Sequence, residues 1–235
     1  MDKIVVRYKK YRSRNRMFIW LVFVLLCLTG CIALVAGSRY IGLGEVMDWV
    51  RGEGGEMNRQ ILLHIRLPRI LAAIITGIIL SLSGAVMQIL LRNPLASPYT
   101  LGISNAAAFG ASCSIVFGGT VGLFHSGWLQ VFHSYFTTVF AFLGSLCGLA
   151  IILLVLKIKR ASVETIVLSG VIINSLFGAG IAVMQYLADS VQLASIVFWN
   201  FGDLGRGNWD KLLVMTVLLF PALVYLYFKR WDYKV

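Results

Sequence analysis

Residues 70–110 read ILAAIITGIILSLSGAVMQILLRNPLASPYTLGISNAAAFG. No Asp, Glu, Lys or Arg occurs from Ile70 to Leu91. A helix of that length is about 33 Å long, enough to cross the hydrocarbon core of a bilayer. Arg92 ends the run, and Pro94 and Pro98 follow. Proline lacks an N–H and pushes the preceding residue out of the helical region, so Asn93-Pro94 reads as a helix stop and turn. Beyond the turn, Gly102, Ala106 and Gly110 recur every four residues. Such a face lets one helix approach another closely.

The rest of the chain repeats this pattern. Of 235 residues, 59% are hydrophobic and 13% charged, and that charge share is about half that of a soluble domain. Further charge-free intervals run over 17–38, 93–156 and 165–188. Hydrocarbon leaves the backbone few options besides the helix, so the sequence predicts an all-α, polytopic membrane protein. The expected spans are about 17–36, 70–91, 99–118, 131–156, 163–187 and 211–228. A basic leader, residues 1–16, precedes a membrane domain over 17–235. The run from Met17 to Ala36 is longer than a cleavable signal segment, which has an apolar stretch of about 7–15 residues.

Lys and Arg counts set the orientation. With six spans and a cytoplasmic N-terminus, fourteen basic residues fall inside: seven in the leader, Arg92, the cluster Lys157, Lys159 and Arg160, and Lys229, Arg230 and Lys234. Seven fall outside. The positive-inside rule therefore predicts both termini of this chain on the cytoplasmic side. The net charge of +11 belongs to helix ends and calls for no nucleic-acid partner. The outer connections, 37–69 and 188–210, are unusually long; the middle of the second has an amphipathic look suited to the membrane interface.

Chemistry-bearing clusters are sparse. Cys27, Cys31, Cys113 and Cys147 lie in apolar runs without His or carboxylate neighbours, and read as small apolar side chains rather than metal ligands. GEGGEMN at 52–58 is glycine-rich but lacks the lysine of a nucleotide-binding loop. No ionisable constellation sits inside the spans, which argues against a proton-driven carrier. Asn174 and Gln185 are polar groups in the fifth span and are expected to face protein or a cavity. Arg66 and Arg69 flank Leu67-Pro68 at the expected outer start of the second span. There the helix dipole disfavours cations, so some other partner must favour them.

Several segments together resemble a known family. Arg66-Leu67-Pro68-Arg69, Ser83-Gly84-Ala85 before Gln88, and Arg92-Asn93-Pro94-Leu95-Ala96 followed by Leu101-Gly102-Ile103-Ser104 form one block. Leu168-Ser169-Gly170 and Phe198-Trp199-Asn200-Phe201-Gly202-Asp203-Leu204 form another. The chain resembles the FecCD-type permeases, the transmembrane subunits of ABC importers for iron-siderophores, heme and cobalamin. Two positions depart from that pattern: Asn105-Ala106 stands where Gly-Ala is usual, and Gly202-Asp203 where Gly-Ser is common.

The resemblance implies a type II ABC importer permease fold of roughly ten helices, of which this chain resembles the N-terminal six. It implies a permease homodimer in the bacterial cytoplasmic membrane, in contact with lipid, with two cytoplasmic ATPase subunits and an external substrate-binding protein. ATP is then used by the partner subunit, and this chain is not itself an enzyme and carries no cofactor. By the same resemblance Asn93 and Leu95 become cytoplasmic gate residues, with Ser162 and Val163 opposite, and Arg66 and Arg69 dock the binding protein. Asn174 and Gln185 are candidate pathway-lining residues. A truncated, non-transporting fragment and a secondary transporter are the competing readings.

Overall fold

A computed structural model describes residues 2–37, 39–53, 55–118, 130–158 and 162–231; for residues 2–12 and 130–134, and for Val163 and Arg206, it describes the backbone alone. Lys159 and Arg160 of the expected basic cluster, and Lys234, lie outside the described residues. All regular structure among the described residues is helical: α1 Asp2–Val35, α2 Leu43–Arg51, α3 Glu56–Gln60, α4 Leu67–Leu91, α5 Ile103–Gly118, α6 Gln130–Ile158, α7 Val163–Leu187, α8 Ser190–Phe201 and α9 Trp209–Lys229.

Among the described residues, five helical stretches are long and apolar enough to cross a membrane: Ser13–Val35, Glu56–Leu91, Tyr135–Ile158, Glu164–Leu187 and Trp209–Lys229. The expected span at 99–118 is instead a turn followed by the 16-residue α5. A helix of 16 residues reaches about 24 Å, short of a hydrocarbon core. Protein encloses it: Ala106, Ala108, Gly110, Ala111, Ser112, Ser114 and Val116 are all buried. α1 shows the opposite environment, with apolar side chains exposed along Met17–Leu26. A helix apolar on all sides and uncovered by protein suits lipid.

The second span starts earlier than its apolar run. α3, a π-helical turn at Ile61–Arg66 and α4 join into one stretch of 36 residues. Pro68 lies just after the π turn. A proline within a helix removes one amide donor and crowds the carbonyl four residues back, and a wider turn is one way to accommodate it. The last π-type bond runs from Leu67 N–H to the Leu62 carbonyl. The next in the series would run from residue 68 to the Leu63 carbonyl, but proline has no N–H. The indole Nε1 of Trp209 donates to that carbonyl instead, at 3.0 Å.

The chain divides into two compact units, residues 1–75 with 204–218, and residues 76–203 with 219–235. In the first, Ile41, Leu62, Pro68, Ala72 and Leu212 are buried. Gly207 packs on α4, where an added Cβ would lie 3.4 Å from that of Ala72.

In the second unit α5 is central. It runs antiparallel to α6 through a crossing made of backbone: a Cβ on Gly110 would strike the Phe140 carbonyl, and one on Gly144 the Ala106 carbonyl. The spacing of Ala106 and Gly110 is what permits that approach. α5 runs parallel to α7, where Phe109 and Phe177 pack with ring centroids 5.6 Å apart. α8 then folds back along both helices. Asp189 caps it by accepting from Val191 N–H and Gln192 N–H, while the Gln192 side chain accepts from Asp189 N–H and donates to the Val116 carbonyl of α5. This capping box turns the chain sharply at the end of α7. Ile196 is buried among Ala108, Val116, Ile181 and Met184. Residues 190–201 therefore pack through Ile196 on α5 and α7, with Val191, Phe198 and Phe201 exposed on the other side.

Candidate functional site

The turn after α4 is a self-bonded structure. Asn93 N–H reaches the Gln88 carbonyl and Arg92 N–H the Ile89 carbonyl, both at 3.2 Å. That bond pair is a Schellman motif, and Arg92 occupies its left-handed position with φ 48°. Glycine usually stands there, because a side chain at positive φ crowds the backbone. The Asn93 side chain accepts from Leu95 N–H at 2.9 Å, and Gln88 Nε2 donates to the Pro94 carbonyl at 3.0 Å. Ser97 and Thr100 exchange further bonds across the second half of the turn. These bonds leave Leu95 projecting, 79% exposed.

The chain then passes onto the middle of α7. A Cβ on Gly170 would strike the Thr100 carbonyl, and one on Gly102 would lie 2.7 Å from Ile173 Cγ2. Gly102 also has φ 78°, so both its backbone angle and its surroundings require glycine. Asn174 Nδ2 donates to the Tyr99 carbonyl, and Asn105 Nδ2 to the Asn174 carbonyl, each at 3.2 Å. Among the described residues, Asn174 Oδ1 is buried without a hydrogen-bond partner. Gln185, three turns further along α7, is half-buried.

Ser162 is the N-cap of α7, its Oγ accepting from Thr165 N–H at 3.2 Å. Val163 begins that helix, and its side chain lies outside the described residues. The described hydrogen bonds of the Asn93–Leu95 tip stay within its own turn, and those of Ser162 within α7.

The two arginines occupy different environments. Arg66 is 7% exposed, and its guanidinium donates to the carbonyls of Leu34, Val35 and Arg39, the Val35 bond being 2.9 Å. Leu34 and Val35 end α1, where carbonyls lack intrahelical partners and the dipole favours a cation. This answers the question posed by sequence. The helix that carries Arg66 begins at Glu56, so Arg66 does not sit at the unfavourable end of its own helix, and it closes the end of another. Gly37 makes room, since a Cβ there would lie 2.8 Å from Arg66 Nη2. Arg69 is exposed, with Nη2 3.5 Å from the Gly205 carbonyl.

A cavity of about 560 Å³ opens between α5, α7 and α8, lined by Tyr99, Ser104, Asn105, Gly178, Trp199 and Asn200 among others. Sequence reading singled out Asn105 and the Trp199-Asn200 motif without bringing them together. The capping pattern Asp189-x-x-Gln192 was the available signal, because it sends α8 back along α7 and brings Trp199 beside Gly178.

Residues 25–235 match the model of the FecCD transport family. The chain belongs to that family. Among its FecCD-related matches, an ABC transporter permease protein of Methanocaldococcus jannaschii is 42% identical over 228 residues, covering 97% of this chain and 65% of that protein. The hemin transport system permease protein HmuU of Yersinia pestis is 38% identical, over 70% of this chain and 47% of its own length. The vitamin B12 import system permease protein BtuC of Salmonella arizonae is 30% identical, over 96% and 63%. A solved structure described as an inward-facing, metal-chelate-type ABC transporter aligns with a TM-score of 0.74 at 29% identity, over 92% of this chain and 63% of that one. The chain thus spans about half to two thirds of the length of these relatives.

Proposed function

We propose that this chain provides the membrane-spanning path of a binding-protein-dependent ABC importer for an iron chelate, as a siderophore or heme, or for cobalamin. The FecCD match along residues 25–235 carries this reading. The names of the hemin and vitamin B12 relatives support the cargo range. In this reading the chain works as a permease homodimer in the cytoplasmic membrane, with its N-terminus in the cytoplasm. Separate ATPase subunits hydrolyse ATP and an external protein delivers the cargo.

Asn93 and Leu95 form one side of the cytoplasmic gate, and Ser162 and Val163 the other. The exposed Leu95, held by the Asn93 side chain, suits an apolar plug. Asn174 and Gln185 line the path, and the unpaired Oδ1 of Asn174 supports a polar lining role. Docking of the binding protein falls to Arg69, whose exposure leaves a guanidinium fork for a carboxylate. Arg66 contributes by fixing the end of α1 beside it in sequence-distant contact.

Affinity purification of the tagged chain from its native membrane tests the assembly. The expected result is co-purification of an ATPase subunit, and capture of the cognate binding protein that is lost in Arg69→Glu. Isolation of the chain with neither partner would overturn the reading.

A further inference from the structure

α2, Leu43–Arg51, is a nine-residue helix bounded at both ends. The Glu45 carboxylate accepts from Gly42 N–H at 3.0 Å. At the other end Gly52, with φ 83°, and Glu53 donate their N–H groups to the Trp49 and Asp48 carbonyls. Leu43, Met47 and Val50, spaced i, i+4 and i+7, share one face with Val46. Those three side chains are 57–69% exposed, and Glu45 and Asp48 occupy the opposite face. A helix this short is marginal in water on its own, and the described residues leave most of its apolar face uncovered.

The neighbouring bonds fix the level of this face. Arg66 donates to the Leu34, Val35 and Arg39 carbonyls, and Ile41 N–H reaches the Val35 carbonyl at 3.4 Å. Residues 36–42 are thereby folded against the end of α1, with Ile41 buried just before α2. The stretch Ser13–Val35 has 23 residues. As a helix it is about 34 Å long, against a hydrocarbon core of about 30 Å. Val35, and with it the start of α2, therefore stands at the boundary between hydrocarbon and headgroups. Leu28 and Ile32 near that end of α1 are exposed, so lipid reaches the level from which α2 departs. Tyr40, also exposed, and Trp49 are residue types enriched at this depth. Trp49 and Val50 line, with Arg59 and Leu63, a cavity of about 430 Å³ beside the start of the second spanning stretch. A guanidinium there can pair with a lipid phosphate.

We infer that α2 is a membrane-surface anchor. It lies in the plane of the bilayer interface where α1 ends, with Leu43, Met47 and Val50 at the boundary of acyl chains and headgroups and Glu45 and Asp48 toward water. In the orientation proposed above this is the outer leaflet. Apolar burial drives the contact, because α2 carries two carboxylates and one guanidinium and gains nothing from anionic lipid. A protein partner would need no match to membrane depth, so the level of α2 at the end of α1 favours lipid. The inference does not rest on the importer reading; it assigns a membrane contact to the long connection between the first two spans.

Spin labels on the full chain in phosphatidylcholine nanodiscs test it. A background with Cys27, Cys31, Cys113 and Cys147 replaced by Ala receives one label at a time, through Met47→Cys, Val50→Cys or Asp48→Cys. Relaxation by oxygen, which concentrates in lipid, is compared with relaxation by a water-soluble nickel chelate. The expected oxygen-to-nickel ratio is severalfold higher at positions 47 and 50 than at position 48, and unchanged when phosphatidylglycerol is added. A second readout keeps the native cysteines: on irradiation, Val50→p-benzoylphenylalanine is expected to form lipid adducts and Asp48→p-benzoylphenylalanine none. Equal ratios at the three positions, a ratio at position 50 that rises only with phosphatidylglycerol, or absence of lipid adducts from position 50 would each overturn the inference. Protection of position 50 from both reagents, gained only on adding the cognate binding protein, would assign the face to a protein and likewise overturn it.

Discussion

The indole N–H of Trp209 donates to the main-chain carbonyl of Leu63 at 3.0 Å, across 146 positions of sequence. It fills the place that Pro68, lacking an N–H, leaves open after the π turn. This explains how a proline is accommodated deep inside a 36-residue helical stretch rather than ending it.

Trp209→Phe removes the donor and keeps most of the ring. The expected cost is about 1 kcal/mol of stability, a typical net value for one hydrogen bond. Pro68→Ala restores a backbone N–H able to reach the Leu63 carbonyl, so in that background Trp209→Phe is expected to cost measurably less. A double-mutant cycle on unfolding in detergent reads the coupling, and strictly additive effects would contradict the assignment.

Arg66→Ala removes the guanidinium donors to the Leu34, Val35 and Arg39 carbonyls, leaving Val35 only its 3.4 Å bond from Ile41 N–H, and is expected to cost roughly 2–3 kcal/mol, in the range of charge-assisted hydrogen bonds. Arg66→Lys recovers only part, because a point charge cannot reach three carbonyls as a planar fork does. Gly37→Ala shifts stability in the same direction by crowding Nη2. Limited proteolysis within residues 36–42 is the direct measure, with cleavage rising in the order parent, Lys variant, Ala variant.

The crossing of α5 and α6 distinguishes glycines by position. Gly144→Ala sets a methyl against the Ala106 carbonyl and lowers the melting temperature. Gly84→Ala on α4 meets nothing within 4 Å and raises stability by about 1 kcal/mol through helix propensity. Equal effects from the two substitutions would show that the crossing is not as close as described.

Arg92→Gly relieves a side chain held at positive φ and is expected to stabilise the turn by about 1 kcal/mol, whereas Arg92→Val destabilises it. Thermal unfolding of both variants against the parent measures this.

Much of this architecture was legible in the sequence, because the apolar runs along α1, α4, α6, α7 and α9 are long and free of charge. Hydropathy marked where apolar character begins at Ile70, but the helix begins at Glu56. The intervening turn carries His64 and Arg66 and depends on a π geometry that no periodicity reveals. α5 looked like a span because composition does not report that Pro98 and Gly102 shorten it. The role of Arg66 was hidden for another reason: its partners are backbone carbonyls about 30 positions away, and every residue has one. Ser162 as a cap was readable, since capping is local. The cavity needed α8 folded back on α7, a tertiary fact for which the Asp189 and Gln192 pair was only a pointer.

The gate assignment leads to a functional expectation in the assembled importer. Leu95→Ala removes the projecting apolar group and is expected to raise ATPase activity without cargo while lowering uptake per ATP hydrolysed. An unchanged ratio with unchanged uptake would remove Leu95 from the gate.

The most direct measurement is accumulation of labelled heme, ferric siderophore and cobalamin in proteoliposomes that contain this chain, its ATPase subunit and its binding protein. The importer account predicts that one of the three accumulates only when ATP and the binding protein are both present. Accumulation driven by an imposed proton gradient without ATP, or no accumulation of any of the three, would contradict it.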